Sequence, residues 1–266
     1  MSCRRRLDAE LVRRHLARSR EDAKDLIDAG RVFVGGFVAT KAARQVQESE
    51  SVTIAGGTDS WVSRGAHKLL GALAEFMPAG LVVTGRRCLD AGASTGGFTQ
   101  VLLHHGAATV IAVDVGYGQL HWSLQTDPRV DVVDRCNVRE LDAARIGGCV
   151  DLVVADLSFI SLRLVLANLI AVTNDRGDIV VMVKPQFEVG VERIGANGVV
   201  TDHQARIDAV ADVARAAEAL GWGAVSIVAS PLPGPAGNVE YFLWLRQGAS
   251  IVTDAMIARA VEGGPQ

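Results

Sequence analysis

Two charged side chains stand where apolar strands should end. Val153-Val154-Ala155 runs straight into Asp156, and Val180-Val181-Met182-Val183 runs straight into Lys184. A charge so close to a fully apolar run costs free energy unless it is paired. Either Asp156 and Lys184 close an ion pair across neighbouring strands and do nothing more, or they form an acid–amine site able to hold a proton at a strand end. Two further charges flank them. Lys68 lies ahead of the first strand, and Glu240 lies in Gly237-Asn238-Val239-Glu240-Tyr241-Phe242-Leu243. A lone glutamate on a strand can simply face solvent, but Pro231-Leu232-Pro233-Gly234-Pro235 before it stiffens a loop and aims the strand start. Asp134 also ends an apolar run, and an exposed strand end accounts for it.

A ligand could sit on Arg87-Cys88-Leu89-Asp90-Ala91-Gly92-Ala93-Ser94-Thr95-Gly96-Gly97-Phe98. It reads as a short strand ending at Asp90, a turn of small residues, and the opening of a helix that continues through Thr99-Gln100-Val101-Leu102-Leu103. Glycines let a backbone approach a bound molecule, and a helix N-terminus offers N–H groups without helical partners. The dinucleotide fingerprint needs glycine at the third position counted from Gly92. Ser94 stands there, so a nicotinamide dinucleotide fits poorly. The next strand, Val110-Ile111-Ala112-Val113, ends at Asp114, a carboxylate suited to the two hydroxyls of a ribose. Together these features point to a nucleoside-bearing cofactor; the plain alternative is an ordinary glycine-rich turn of an α/β protein.

These residues meet only if the strands end on one rim. Apolar strands near 87–90, 109–114, 130–134, 150–156, 178–184, 224–229 and 239–245 alternate with helical stretches near 98–105, 118–126, 161–173 and 203–220. The alternation predicts an α/β fold, a Rossmann-like, mostly parallel sheet of seven strands with helices on both faces. No helix fits between the last two strands, so that pair is expected to be antiparallel.

Residues 1–58 read as a separate unit. Leu7, Leu11, Val12 and Leu16 fall at helical spacing, Ser19 with Asp22 can cap a second short helix ending at Gly30, and Arg31–Val38 reads as a hairpin about Gly35-Gly36. Residues 1–45 carry eleven Lys/Arg against six Asp/Glu, which leaves the rest of this chain of net charge -3 acidic. The basic residues surround a compact helix pair rather than a tail, which favours contact with a polyanion over a merely solvated face. Gly56-Gly57-Thr58-Asp59-Ser60 is the linker by composition, so the expected division is 1–58, a linker at 59–62, and 63–266. Hydrophobic content of 49% against 21% charged supplies a sizeable core. Cys3, Cys88, Cys136 and Cys149 lack paired metal spacing, so no metal site is expected and buried free thiols are. No run approaches the ~18 apolar residues of a membrane helix, and no apolar segment follows Arg4-Arg5-Arg6. The chain reads as soluble and cytoplasmic, without stable membrane insertion.

The N-terminal unit resembles the S-four-like (alpha-L) RNA-binding module in Arg5-Arg6-Leu7-Asp8, Leu11-Val12, Leu16-Ala17-Arg18-Ser19-Arg20, Leu26-Ile27 and Gly30-Arg31-Val32. The resemblance implies RNA contacts from Arg5, Arg6, Arg14, Arg18 and Arg20. In the larger unit, Lys68, Asp156, Lys184 and Glu240 match, in order and strand context, the Lys-Asp-Lys-Glu tetrad of the FtsJ-like RNA 2'-O-methyltransferases, whose sheet also ends in an antiparallel hairpin. With Trp61–Leu69, Leu89–Thr99, Asp114–Leu120, Lys184–Gly190 and Gly237–Phe242, nearly the whole chain resembles the TlyA family, known as hemolysin A and as ribosomal RNA 2'-O-methyltransferases. One departure is Val191, where many members carry lysine. The family implies S-adenosyl-L-methionine as methyl donor and cytidine ribose in ribosomal RNA of the small or large subunit as acceptor. By resemblance the tetrad is catalytic, and Asp90, Gly92, Gly96, Phe98, Asp114, Asn137 and Asp156 bind the cofactor. Asn137 replaces a common Asp, and Cys136 and Asn137 serve equally as helix-cap residues. Lys184 is expected to act as a base or as a cation that orients the hydroxyl. Competing readings are a small-molecule or protein methyltransferase, a non-enzymatic RNA-binding or ribosome assembly factor, and a membrane-active hemolysin.

Overall fold

A computed structural model of the chain describes residues 4–14, 16–17, 19–47, 50–54, 61–249 and 251–264, in two units, Met1–Ser60 and Trp61–Gln266. In the first unit β1 (Arg5–Arg6) leads into α1 (Leu7–Arg13), followed by α2 (Arg20–Asp28), β2 (Val32–Val34), β3 (Phe37–Val38), β4 (Gln45–Val46) and β5 (Val52–Ile54). Ser19 caps α2 as the sequence predicts, its hydroxyl accepting from Asp22 N at 3.1 Å. The expected hairpin is β2 and β3, paired antiparallel with Val34 opposite Phe37. Gly35 and Gly36 both take positive φ in its turn, which two-residue hairpins require. Strands β4 and β5, which pair with β1 and β2, are too short to show an alternation in sequence. Leu7, Leu11, Ala23, Ile27, Val32, Val34 and Val46 form the core. Linker positions 59 and 60 lie outside the described residues. Trp61 and Val62 pack within the second unit instead, where Val62 is buried and its N–H donates to Gln100 Oε1 at 2.7 Å.

The second unit starts with α3 (Gly65–Phe76) and continues β6 (Arg87–Ala91), α4 (Gly97–His104), β7 (Thr109–Val113), α5 (Trp122–Gln125), β8 (Val130–Val133), β9 (Val150–Ala155), α6 (Leu166–Ala171), β10 (Thr173–Val183), α7 (Pro185–Glu188), α8 (His203–Ala219), β11 (Trp222–Ala229), β12 (Tyr241–Gln247) and α9 (Asp254–Glu262). The predicted seven-stranded sheet has the order β11-β12-β10-β9-β6-β7-β8. The five strands from β6 to β10 run parallel, and β12 inserts antiparallel between β10 and β11. Chain order reverses between β6 and β9, the place where an open α/β sheet leaves a crevice beyond its strand ends.

Two apolar layers sandwich this sheet. Leu89, Ile111, Val153, Val181 and Leu243 face one, Cys88, Val110, Val154, Val180 and Trp244 the other, following the two-residue period of the strands. At the rim away from the crevice, fully buried Asp178 accepts from Trp244 Nε1 at 2.7 Å and Arg246 Nε at 2.9 Å and pairs with Arg86 at 2.5 Å. Cys88 and Cys136 are the expected buried thiols, whereas Cys149 is exposed, and Cys3 lies outside the described residues. Lys68, expected ahead of the first strand, stands there on α3, a helix not among those expected from the sequence.

Candidate active site

Backbone register brings three of the four tetrad residues to one rim. Val181 pairs with Ala155, so Lys184 and Asp156 leave the same ends of adjacent parallel strands. Val183 pairs with Tyr241, so Glu240, arriving at the start of an antiparallel strand, lies beside Lys184. Lys184 Nζ sits 2.6 Å from Asp156 Oδ1 and donates to Ser158 Oγ at 2.8 Å. Lys68 reaches the rim from α3, its Nζ 2.5 Å from Glu240 Oε2, both side chains buried. The four charges therefore form two ion pairs at neighbouring strand ends. Breaking a buried pair by removing one partner strands the other charge away from water, at a cost of about 3–5 kcal/mol. The proline loop does aim Glu240. Pro231 abuts Gly71 on α3 so closely that an added Cβ would meet the proline ring at 2.6 Å, and a Cβ on Gly234 would meet Glu240 Oε1 at 2.7 Å.

The turn after β6 fits a nucleoside-bearing donor. Gly92 has φ +87°, and a Cβ there would meet Asp156 O at 2.5 Å, so only glycine lets the turn cross this close to the end of β9. Gly96, at φ +96°, is the N-cap of α4. Half-buried Asp114 accepts from Ser94 N at 2.8 Å and Gly116 N at 2.7 Å. A carboxylate has about four lone-pair sites, so two remain for vicinal hydroxyls. Asp90 is fully buried beneath the turn. Its Oδ2 accepts from Thr99 Oγ1 at 2.7 Å while Oδ1 has no partner. Burial pushes its carboxyl up to about 7, against the Thr99 hydrogen bond and with help from the charges of Asp156 and Asp114. Phe98 does not line the turn as expected from resemblance: its ring is buried against Phe242, centroids 6.0 Å apart, and supports the turn from within. Asn137 serves as a cap, its amide oxygen accepting from Arg139 N at 3.0 Å. Asp134 accepts from Gly118 N at 2.9 Å and braces the loop after Asp114.

Several residues at the rim were given no individual role by the sequence. Phe159 is 91% exposed with φ +62°, a backbone region that bulky residues rarely enter, and its ring lies 5.3 Å from that of Phe187. Exposed Tyr117 carries the Arg135 guanidinium 4.4 Å over its ring. Glu188 is buried, which holds its carboxyl above the usual range against hydrogen bonds from Ser161 and Leu162 and the charge of Arg163. Among the described residues no cluster of His, Cys, Asp and Glu could hold a metal ion.

In the N-terminal unit two buried acids organise the arginines. Asp8 pairs with Arg6 at 2.9 Å and Arg20 at 3.0 Å, and Glu10 with Arg13 and Arg14 at 2.7 Å and Arg5 at 3.8 Å. The Arg6 hydrogen bond holds the Asp8 carboxyl well below the usual range, as Arg13 does for Glu10. Arg5, Arg6 and Arg20 keep much of their side chains in solvent. Arg14 is turned inward, donating also to Glu50 O and Gln47 O, and acts as a brace. Arg18 lies outside the described residues.

Residues 61–247 match the FtsJ-like methyltransferase family, and residues 5–52 match the S4 domain. The chain is 57% identical, over 100% of both lengths, to the 16S/23S rRNA (cytidine-2'-O)-methyltransferase TlyA of Mycobacterium tuberculosis. It is 33% identical to the Hemolysin A of Brachyspira hyodysenteriae over 89% of this chain and 97% of that one. A solved structure of a candidate hemolysin from Streptococcus thermophilus superposes with a TM-score of 0.76 at 34% identity, covering 98% of this chain and 96% of that one. With its two ion pairs on one rim, its glycine turn, its two matched domains and a relative 57% identical over the full length of both chains, the chain belongs to the TlyA family of FtsJ-like methyltransferases.

Proposed function

We propose that this chain transfers a methyl group from S-adenosyl-L-methionine to the 2'-hydroxyl of cytidine in ribosomal RNA of the small or large subunit, in the cytoplasm. The observation that carries the reading is Lys184, fixed between Asp156 and Ser158 on the rim that it shares with the Lys68–Glu240 pair. The cofactor supplies an electrophilic methyl on a sulfonium. Asp114 would take its ribose hydroxyls, the Gly92 turn would allow close backbone approach, Asp156 would face the positive end of the molecule, and Asp90 would complete the cofactor site from beneath the turn. Paired with Asp156 at 2.6 Å and donating to Ser158 Oγ at 2.8 Å, Lys184 is read as the group that orients the acceptor oxygen. The 2'-oxygen would form its bond to the methyl carbon as the sulfur–methyl bond breaks and leaves a neutral thioether, and the hydroxyl proton would pass to solvent. Holding the oxygen in line with the methyl supplies several kcal/mol, up to about 7–11 in favourable intramolecular cases. Lys68 and Glu240 fix α3 and the start of β12 around that oxygen. The S4 domain, with Arg5, Arg6 and Arg20 in solvent, supports RNA as the substrate.

Replacing Lys184→Ala is expected to abolish ribose methylation while cofactor affinity, read by calorimetry, stays within about threefold. A variant that methylates RNA at the wild-type rate overturns the assignment. Mapping ribose methylation on rRNA from cells with and without the gene identifies the nucleotide and the subunit. A non-enzymatic assembly factor has no need of two intact ion pairs on the rim. The hemolysin reading predicts leakage from liposomes exposed to pure protein. Among the described residues no helix is long and apolar enough to cross a membrane.

A further inference from the structure

Lys184 and Glu188 stand four residues apart on one short, rigid turn, opened by Pro185 at the first position of α7 and closed by hydrogen bonds from Phe187 N to Lys184 O and from Val189 N to Pro185 O. Both side chains grip the same neighbouring strap, the segment that leaves β9. Lys184 holds its near end, at Asp156 and Ser158. Glu188 holds its far end, Oε2 accepting from Ser161 Oγ at 2.6 Å and Oε1 from Leu162 N at 2.7 Å, with Arg163 Nε at 3.4 Å. Arg163 closes the far clasp by donating to Glu188 O at 3.0 Å. Between the two clasps the backbone turns through the left-handed conformation of Phe159. A bulky residue keeps such a conformation only when its surroundings over-determine it, and the clasps on either side do so. The far clasp is buried: Glu188 and Leu162 are both shielded from solvent. The near one is open, Ser158 being exposed at the rim.

An ammonium has three N–H directions. The hydrogen bond to Ser158 Oγ takes one of them, and the ion pair with Asp156 Oδ1 at 2.6 Å holds the ammonium from a residue two positions earlier on the same strap, which leaves N–H capacity to face an incoming oxygen. We propose that Ser158 and Glu188 are positioning residues for Lys184: the Ser158 hydroxyl fixes the rotation of the ammonium, and the Glu188 carboxylate, through Ser161 and Leu162, fixes Ser158. The inference rests on the reading that Lys184 orients the acceptor. Neither residue touches the substrate in this role. Glu188 acts at the full width of the strap from the lysine that it serves.

The test uses the full-length protein, labelled S-adenosyl-L-methionine and ribosomal subunits lacking the modification. Ser158→Ala is expected to lower kcat by about tenfold to a hundredfold, the scale on which a small misplacement is felt, with KM for RNA and cofactor Kd within about threefold. Ser158→Thr keeps the hydroxyl and should recover most of the loss. Glu188→Ala should lower kcat in the same way. Glu188→Gln can still accept from Leu162 N and donate to Ser161, and is expected within about threefold of wild type, which separates the clasp from any effect of lost charge. Because both residues act through one atom, the Ser158→Ala/Glu188→Ala double variant should be no slower than the worse single one within about threefold, whereas independent structural defects would multiply. If Glu188→Ala does not fold, the Ser158→Ala, Ser158→Thr and Glu188→Gln results decide. The proposal falls if Ser158→Ala keeps wild-type kcat, if its loss lies in KM, or if the two losses multiply. A normal Ser158→Ala beside a dead Lys184→Ala removes the positioning role alone; a normal Lys184→Ala removes both.

Discussion

Asp90 shows what a single buried carboxyl does to the molecule as pH changes. Folding takes it fully out of water and leaves one oxygen without a partner, so its carboxyl is pushed up to about 7, while in the unfolded chain it titrates near ~4. Between those values the folded state holds a proton that the unfolded state has lost, so stability falls as pH rises through the window. Asp90→Asn removes the titration. The stability of wild type relative to Asp90→Asn, from urea unfolding, should decline by up to about 1.4 kcal/mol per pH unit between about 4 and 7 and level off above. Parallel curves would mean that Asp90 stays ionised in the fold. Residues such as Asp156 and Lys184 were legible in the sequence because a charge ends an apolar run. Glu188 was not, since a glutamate following Pro185-Gln186-Phe187 reads like any surface residue until its two oxygens are seen to clasp another segment. Phe159 was silent for a different reason: its peculiarity is a backbone angle, which no side-chain pattern records.

At the scale of elements, the sheet could be read from alternating apolar strands, and the antiparallel end from the lack of room for a helix between β11 and β12. Helix α3 was harder, because Gly65 and Gly71 weaken its helical pattern, and this hid the element that carries Lys68. Gly71 is there for contact: Pro231 occupies the space its Cβ would need. Gly71→Ala is therefore expected to force α3 away from the loop that aims Glu240, costing about 1–3 kcal/mol in denaturant unfolding and lowering turnover as the Lys68–Glu240 pair is drawn apart. Full stability with full turnover would show that helix and loop are not mechanically coupled. The start of β10 was hidden as well, since Asn174-Asp175-Arg176-Gly177 is polar and irregular, and the pairing with β9 shifts register across it.

For the whole molecule, the contrast between a basic N-terminal unit and an acidic remainder follows from the sequence, and each unit has a core of its own. A chain without residues 1–60 is expected to fold and to bind cofactor as before, but to lose more than about tenfold in rRNA affinity with a shallower dependence on salt, as filter binding at several ionic strengths would show. Equal affinity and equal slope would move the RNA contact to the second unit. The late arrival of β12 governs when the enzyme comes to life. This strand is the last of the sheet to leave the ribosome, yet it lies inside the sheet, between two strands made before it. Until it emerges, β11 has nothing to pair with, and Lys68 waits without its carboxylate. A nascent chain therefore carries the glycine turn and Lys184 before it can use them, so activity is expected to begin only once β12 has joined the sheet.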